Sequence, residues 1–144
     1  MEQLLHYVWK HKIFPLKELR TTTGLPVEVI DTGLQNSNSG PDFFNAKLKI
    51  DGTLWVGNVE VHQSSSDWMR HGHNHDKTYD SVIMHIITHA DCEVHRSTGE
   101  CIPQLQLVCP DHIQANYEQL HRSEVRPYCY SILSGLPKLA VHSW

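Results

Sequence analysis

From Phe43 to His62 the sequence reads as two β-strands around one tight turn. Phe44, Ala46, Leu48 and Ile50 fall on one face and Asn45, Lys47 and Lys49 on the other, the period-two pattern of a half-buried strand. Asp51-Gly52 is a strong hairpin-turn signal, and TLWVGNVEVH, residues 53–62, returns as the second arm. Register then decides what the hairpin presents. If Asp51-Gly52 is itself the loop, Ile50 pairs with Thr53 and Asp42 faces away from Glu60. An odd-length loop or a bulge instead sets Asp42 opposite His62 and Phe44 opposite Glu60, with Ala46, Leu48, Ile50, Leu54 and Val56 on one face. This second register is the predicted one.

The elements around the hairpin follow from spacing and punctuation. Leu4, Leu5, Val8, Trp9 and Ile13 recur at near-helical intervals, so residues 2 to 14 predict an amphipathic helix stopped by Pro15. A short helical turn is expected at Leu16 to Arg20, a strand at VEVID (27–31), and a loop at TGLQNSNSGP (32–41). Ser65 or Ser66 can cap a short helix before Gly72, SVIMHIITH (81–89) is a β run, and CEVH with IPQLQLV predicts a hairpin around Ser97–Gly99. Asp111 can cap a helix burying Ile113, Tyr117 and Leu120. The predicted class is α/β (α+β), a central mixed sheet flanked by helices. Residues 1–125 read as one domain, and 126–144 as a C-terminal tail that begins a further region.

At 144 residues, 40% apolar and 19% charged, the chain has the composition of a globular domain. No apolar run reaches the roughly 18–20 residues of a membrane span, and MEQLLHYVWKHKIF lacks a signal-peptide core, so a cytoplasmic location without membrane attachment is expected. Cys92, Cys101, Cys109 and Cys129 are too unevenly spaced for a CxxC site and are read as buried thiols. A net charge of −4, from 12 basic and 16 acidic side chains, argues against a strong non-specific nucleic-acid binder. Apolar Ile132, Leu133, Leu136 and Leu139 favour a homodimer or contact with a further C-terminal domain.

Candidate chemistry centres on GPDFFNAKLKIDGTLWVGNVEVH, residues 40–62. An acid at the start of one strand and another at the end of its partner meet at the same end of the sheet. Two close carboxylates require a cation or a proton between them. His62, two residues beyond Glu60, shares its face and can orient or deprotonate a water. The bland alternative makes Asp42 a turn residue and Glu60 and His62 a solvated strand face.

"PDF" and then "EVH", with 17 residues between Asp42 and Glu60, resemble the PD-(D/E)XK nuclease motif, with His62 where lysine usually stands. The element order resembles that superfamily's αβββαβ core. The resemblance implies a Mg²⁺- or Mn²⁺-dependent nuclease or phosphodiesterase acting on DNA or RNA. Asp42 and Glu60 would be metal ligands, with the Val61 carbonyl a further one. Losing the permanent charge of lysine implies altered or absent activity, so a catalytically inactive binding module is the alternative. The run from GPDFFNA through GNVEVH to SSDWMRHGH and YDSVIMH also resembles a bacterial family of longer proteins with no established function.

Twelve histidines are present, six of them between His62 and His89. Asp67, His71 and His75 share a face if the segment is helical; His71, His73 and His75 do so if it is extended. Either set can hold Zn²⁺ or another transition metal. A third arrangement folds His71 or His73 back over the Asp42–Glu60 pair. His85, inside an apolar run, is expected to be a hydrogen-bonded core residue. Trp55, Trp68 and Tyr79 are expected in the core rather than stacked on bases.

Overall fold

The computed structural model describes residues 2–14 and 18–108. The expected helix at Asp111, Cys109, Cys129 and the tail from Arg126 lie outside the described residues. Helix α1 spans Glu2–Lys10 and buries Leu4, Leu5, Val8 and Trp9. Glu2 in its first turn and Lys10 in its last complement the helix dipole. It stops before the expected residue 14 because Lys12 turns left-handed at φ 54°. The Lys12 N–H then donates to the Trp9 carbonyl and the Ile13 N–H to the Val8 carbonyl, a Schellman closure.

Among the described residues, seven strands form one mixed sheet: β1 (Leu19–Arg20), β2 (Pro26–Asp31), β3 (Leu34–Gln35), β4 (Phe43–Ile50), β5 (Thr53–Val61), β6 (Val82–Ile87) and β7 (Gln104–Gln106). Their order is β1-β2-β4-β5-β6-β7, with β3 beside β2 on the same flank of β4. The pairs from β1 to β5 are antiparallel, and β5–β6 and β6–β7 are parallel. A bridge from Thr21 to Leu105 joins the two outer strands, so the sheet is rolled. Among the described residues, no helix is long and apolar enough to cross a membrane.

Three local expectations are corrected. Leu19–Arg20 is a strand rather than helix, because the edge of β2 takes Leu19 and Arg20 as partners of Val27 and Pro26. The loop 32–41 contains β3, which pairs with Phe43 and Phe44. The turn at Ser97–Gly99 forms, with a bridge from His95 to Cys101, but Gln104–Gln106 leaves that hairpin and fills the open edge of β6.

The hairpin register is the fourth correction, and it positions the site. Around the turn Ile50 pairs with Thr53 and Ala46 with Gly57, the two-residue-loop register. Between Ala46 and Phe43 the ladder then slips, and Phe43 pairs with Val59. Phe44 and Asn45 therefore share one place on β4, a bulge helped by Asn45 at φ 59°. The slip reverses side-chain parity. Phe43 is buried, Phe44 only partly so, and Leu54 and Val56 are exposed instead of joining the core face. One step beyond Phe43 and Val59, the same spacing brings Asp42 beside Glu60, the opposite of what an unbulged two-residue hairpin would give.

The main core joins α1 to Phe43, Leu48, Val59, Val61, Met84 and Ile86. A smaller cluster of Trp68, Val82, Val94 and Ile102 is packed by Tyr79. Trp9 is fully buried without a polar penalty because its Nε1 donates to the Thr32 carbonyl at 3.1 Å. Trp55, expected in the core, is exposed.

Asn45 tests the bulge. Asn45→Gly should leave stability unchanged or slightly raised, because glycine adopts positive φ freely. Asn45→Val should lower it by about 1–2 kcal/mol, read from the denaturant midpoint. Equal stability of the two variants would show that the left-handed residue does not set the register.

Candidate functional site

The bulge end of the hairpin locks two acids together. Glu60 Oε1 accepts from the Asp42 N–H at 3.2 Å, and Asp42 Oδ2 accepts from the Val61 N–H at 2.8 Å. Val59 and Val61 point into the main core, so alternation turns Glu60 and His62 to the other face. That face is not solvated: Glu60 is 5% exposed and His62 1%. Behind Asp42, His6 of α1 brings Nε2 to 3.3 Å from Oδ2. His6 was not singled out in the sequence, because nothing in its spacing distinguishes it from any other polar helix position.

The crossover between β5 and β6 closes over this face. Ser66 precedes helix α2 (Asp67–Arg70) as expected, although its side chain makes no capping bond. Asp67 caps the segment instead, accepting from the Ser64 N–H at 3.1 Å and pairing with Arg70 at 3.0 Å. His71 ends the helix, and Gly72 at φ 73° reverses the chain into a 3-10 turn, His73–His75. The reversal tucks His73 inward, 6% exposed, between Tyr79 stacked at 3.6 Å and the edge of Trp68. His75 stays exposed beside Asn74. Neither expected triad forms, because the segment is neither one helix nor extended; Asp67 and His75 lie outside the cluster. His62 takes their place, with its ligand atom and those of His71 and His73 all within 4.8 Å of one another.

Glu60 is the centre of this arrangement. Its Oε2 lies 3.0 Å from His73 Nε2 and 3.3 Å from His62 Nε2, and His62 Nε2 lies 3.2 Å from His71 Nδ1. On its other side, His62 Nδ1 meets His85 Nε2 at 2.8 Å, and His85 Nδ1 meets Gln104 Oε1 at 3.0 Å. His85 is thus buried and hydrogen-bonded as expected, but its partner is the site. Parallel pairing explains this, since Glu60 is in register with His85, and His85 with Gln104. That alignment across three strands is invisible in the linear order.

The electrostatics are strained. Burial pushes the Glu60 carboxyl far above its ordinary range, and the Asp42 charge and the hydrogen bond shared with it push further. Burial also drives His62 far down, helped by the surrounding imidazoles. His73 falls to about 4 by burial and the His71 charge, and His85 to about 4 chiefly by burial. A buried acid forced toward neutrality beside imidazoles kept neutral is an environment that a cation would relieve.

The donors present test which cation. Three imidazoles and one carboxylate make a nitrogen-rich set suited to zinc and its neighbours, whereas Mg²⁺ prefers oxygen. Val61 contributes its N–H to Asp42. A second group, Glu93, His95 and Cys101, lies at the surface, with Cys101 Sγ 3.2 Å from His95 Nε2. Cys101 is exposed and Cys92 half-buried, both free thiols, so neither is the fully buried cysteine expected.

Acid sensitivity follows. His73 and His85 stay neutral in the fold down to about pH 4, while the unfolded chain takes up these protons near pH 6.5 (an ordinary imidazole value, about 6.5). Stability should therefore fall as pH drops through that window. Glu60 has the opposite sign. Its raised carboxyl contributes stability below the ordinary carboxylate range and loses it as pH rises above that range. Glu60→Gln should thus stabilise the protein at neutral pH by about 0.5–2 kcal/mol, read by chemical denaturation with chelator present. Destabilisation would show that protonated imidazoles already pair a charged Glu60.

No curated protein and no solved structure matches the chain significantly. One family model does, over residues 2–144, and the chain belongs to that family, described as a protein of unknown function (DUF2851).

Proposed function

We propose that this protein is a metal-dependent hydrolase of phosphodiester bonds, with nucleic acid as its substrate class. The observation that carries the reading is the joined Asp42–Glu60 pair, held by reciprocal side-chain-to-backbone bonds at one end of β4 and β5. The order α1, antiparallel β2-β4-β5 and then parallel β6 is the order that the PD-(D/E)XK resemblance implies, which supports it further. Asp42 and Glu60 stand where that motif has its acids, and His62 where it has lysine.

A bound divalent ion would supply Lewis acidity toward a phosphoryl oxygen and a more acidic water. Asp42 and Glu60 would be its ligands, with Mg²⁺ or Mn²⁺ expected from the resemblance and Zn²⁺ the alternative. The chain's own groups do the rest. The Val61 N–H fixes Asp42 in place, and His6 beside it offers an imidazole for proton transfer. A cleft between α1 and residues 36–38 opens onto Asp42 and is lined by His6, Lys10, Asn36 and Asn38. Lys10 supplies a cation for a phosphate in that cleft. Lys47 and Lys49 are exposed opposite Asp31 and Glu28 of β2, so they belong to the wet face of the sheet.

Cleavage of single- and double-stranded DNA and RNA, assayed with Mg²⁺, Mn²⁺ and Zn²⁺ in turn, tests the reading. Activity should appear with at least one metal and fall by at least about 100-fold in Asp42→Ala and in Glu60→Ala. His75→Ala should retain it. Nucleic-acid binding without cleavage under every metal would replace the hydrolase with a binding module.

A further inference from the structure

The hydrogen bonds behind His62 determine where its lone pair points. Gln104 Nε2 donates to the Cys92 carbonyl at 2.9 Å, which fixes the orientation of the amide. Gln104 Oε1 must then accept, so His85 carries its proton on Nδ1 and leaves Nε2 bare. The bare His85 Nε2 requires a proton on His62 Nδ1. A neutral His62 therefore presents an unprotonated Nε2 to Glu60, His71 and His73. Backing a ring N–H with a fixed acceptor, here His85 Nε2, is how metal-binding imidazoles are held in one tautomer.

We propose that His62, His71, His73 and Glu60 are the four protein ligands of one transition metal ion of the zinc class, with Gln104 and His85 as positioning residues for His62. The ligand atoms of the three imidazoles lie within 4.8 Å of one another, and three separations within the set match what one ion requires. Zinc bonds of about 2.0–2.1 Å in tetrahedral geometry put ligand atoms about 3.3 Å apart. The separations here are 3.0 Å for Glu60–His73, 3.2 Å for His62–His71 and 3.3 Å for Glu60–His62. The bare Nε2 of His62 and Glu60 Oε2 face one another at 3.3 Å, a spacing that one shared cation or one shared proton bridges. Trp68 and Tyr79 enclose the ring of His73, and His71 at the surface is the ligand nearest solvent.

This inference concerns metal identity and ligands and does not depend on hydrolysis. It is tested on the full chain, stripped with chelator and titrated with Co²⁺ alone, reading the visible absorption of the ion and its displacement by Zn²⁺. One Co²⁺ should bind per chain without a thiolate charge-transfer band. His71→Ala, at an exposed position that leaves the core intact, should weaken binding at least about tenfold. Gln104→Leu should weaken it by about 10–100-fold, and Gln104→Glu, which keeps an acceptor for His85 Nδ1, should restore most of the affinity and the parent spectrum. Unchanged affinity in both His71→Ala and His73→Ala overturns the proposal. So does a thiolate band abolished by Cys101→Ser, which would move the ion to Glu93, His95 and Cys101. Histidine-dependent Co²⁺ binding without any cleavage activity upholds this site while refuting the hydrolase. Cleavage with Mg²⁺ that survives loss of His71 and His73, with no Co²⁺ bound there, does the reverse.

Discussion

A carboxylate buried beside a second carboxylate and several imidazoles has few ways to exist. Glu60 is almost wholly removed from water, and its neighbours are Asp42, His62 and His73. Charged and unpaired, it would cost several kcal/mol of desolvation; protonated, it is an unusual acid at neutral pH. The surrounding elements hold it there regardless. The β5–β6 ladder fixes its backbone, the crossover places His73 over it, and α1 supports Asp42 through His6. The cation site proposed above accounts for packing of this quality around Glu60, which comes at a cost in stability.

Most of the frame was legible in the residues. The apolar spacing of Leu4, Leu5, Val8 and Trp9 marked α1, and Asp51-Gly52 marked the turn between β4 and β5. The pairing beyond that turn was not legible, because a bulge costs little and leaves no fixed signature. Phe43 and Phe44 are adjacent and equally apolar, so composition could not say which one enters the core. The strand order depends on parallel pairings between segments far apart in the chain, which periodicity does not encode. For that reason β7 was expected in a hairpin and is found on the edge of β6.

The candidate site divides along the same line. Asp42, Glu60 and His62 stood out because their positions lie on one hairpin. His71 and His73 stood out by density, and of the three expected arrangements the one that folds back over the acids is found, with His73 on Glu60. The triads with His75 do not form, because Gly72 at positive φ reverses the chain and brings both rings to His62. His6, His85 and Gln104 carry no local signal. Each acquires its role only through a contact that the fold creates, namely α1 on Asp42 and three strands side by side behind His62.

X-ray absorption at the metal edge of the Zn²⁺- or Co²⁺-loaded full chain addresses the central claim most directly. A first shell of light nitrogen and oxygen scatterers, with outer-shell scattering from about three imidazole rings and no sulfur, is the predicted result (zinc–nitrogen near 2.0–2.1 Å, roughly). A sulfur shell at roughly 2.3 Å, or an oxygen-only shell without imidazole scattering, would contradict the assignment of the ion to Glu60 and its three histidines.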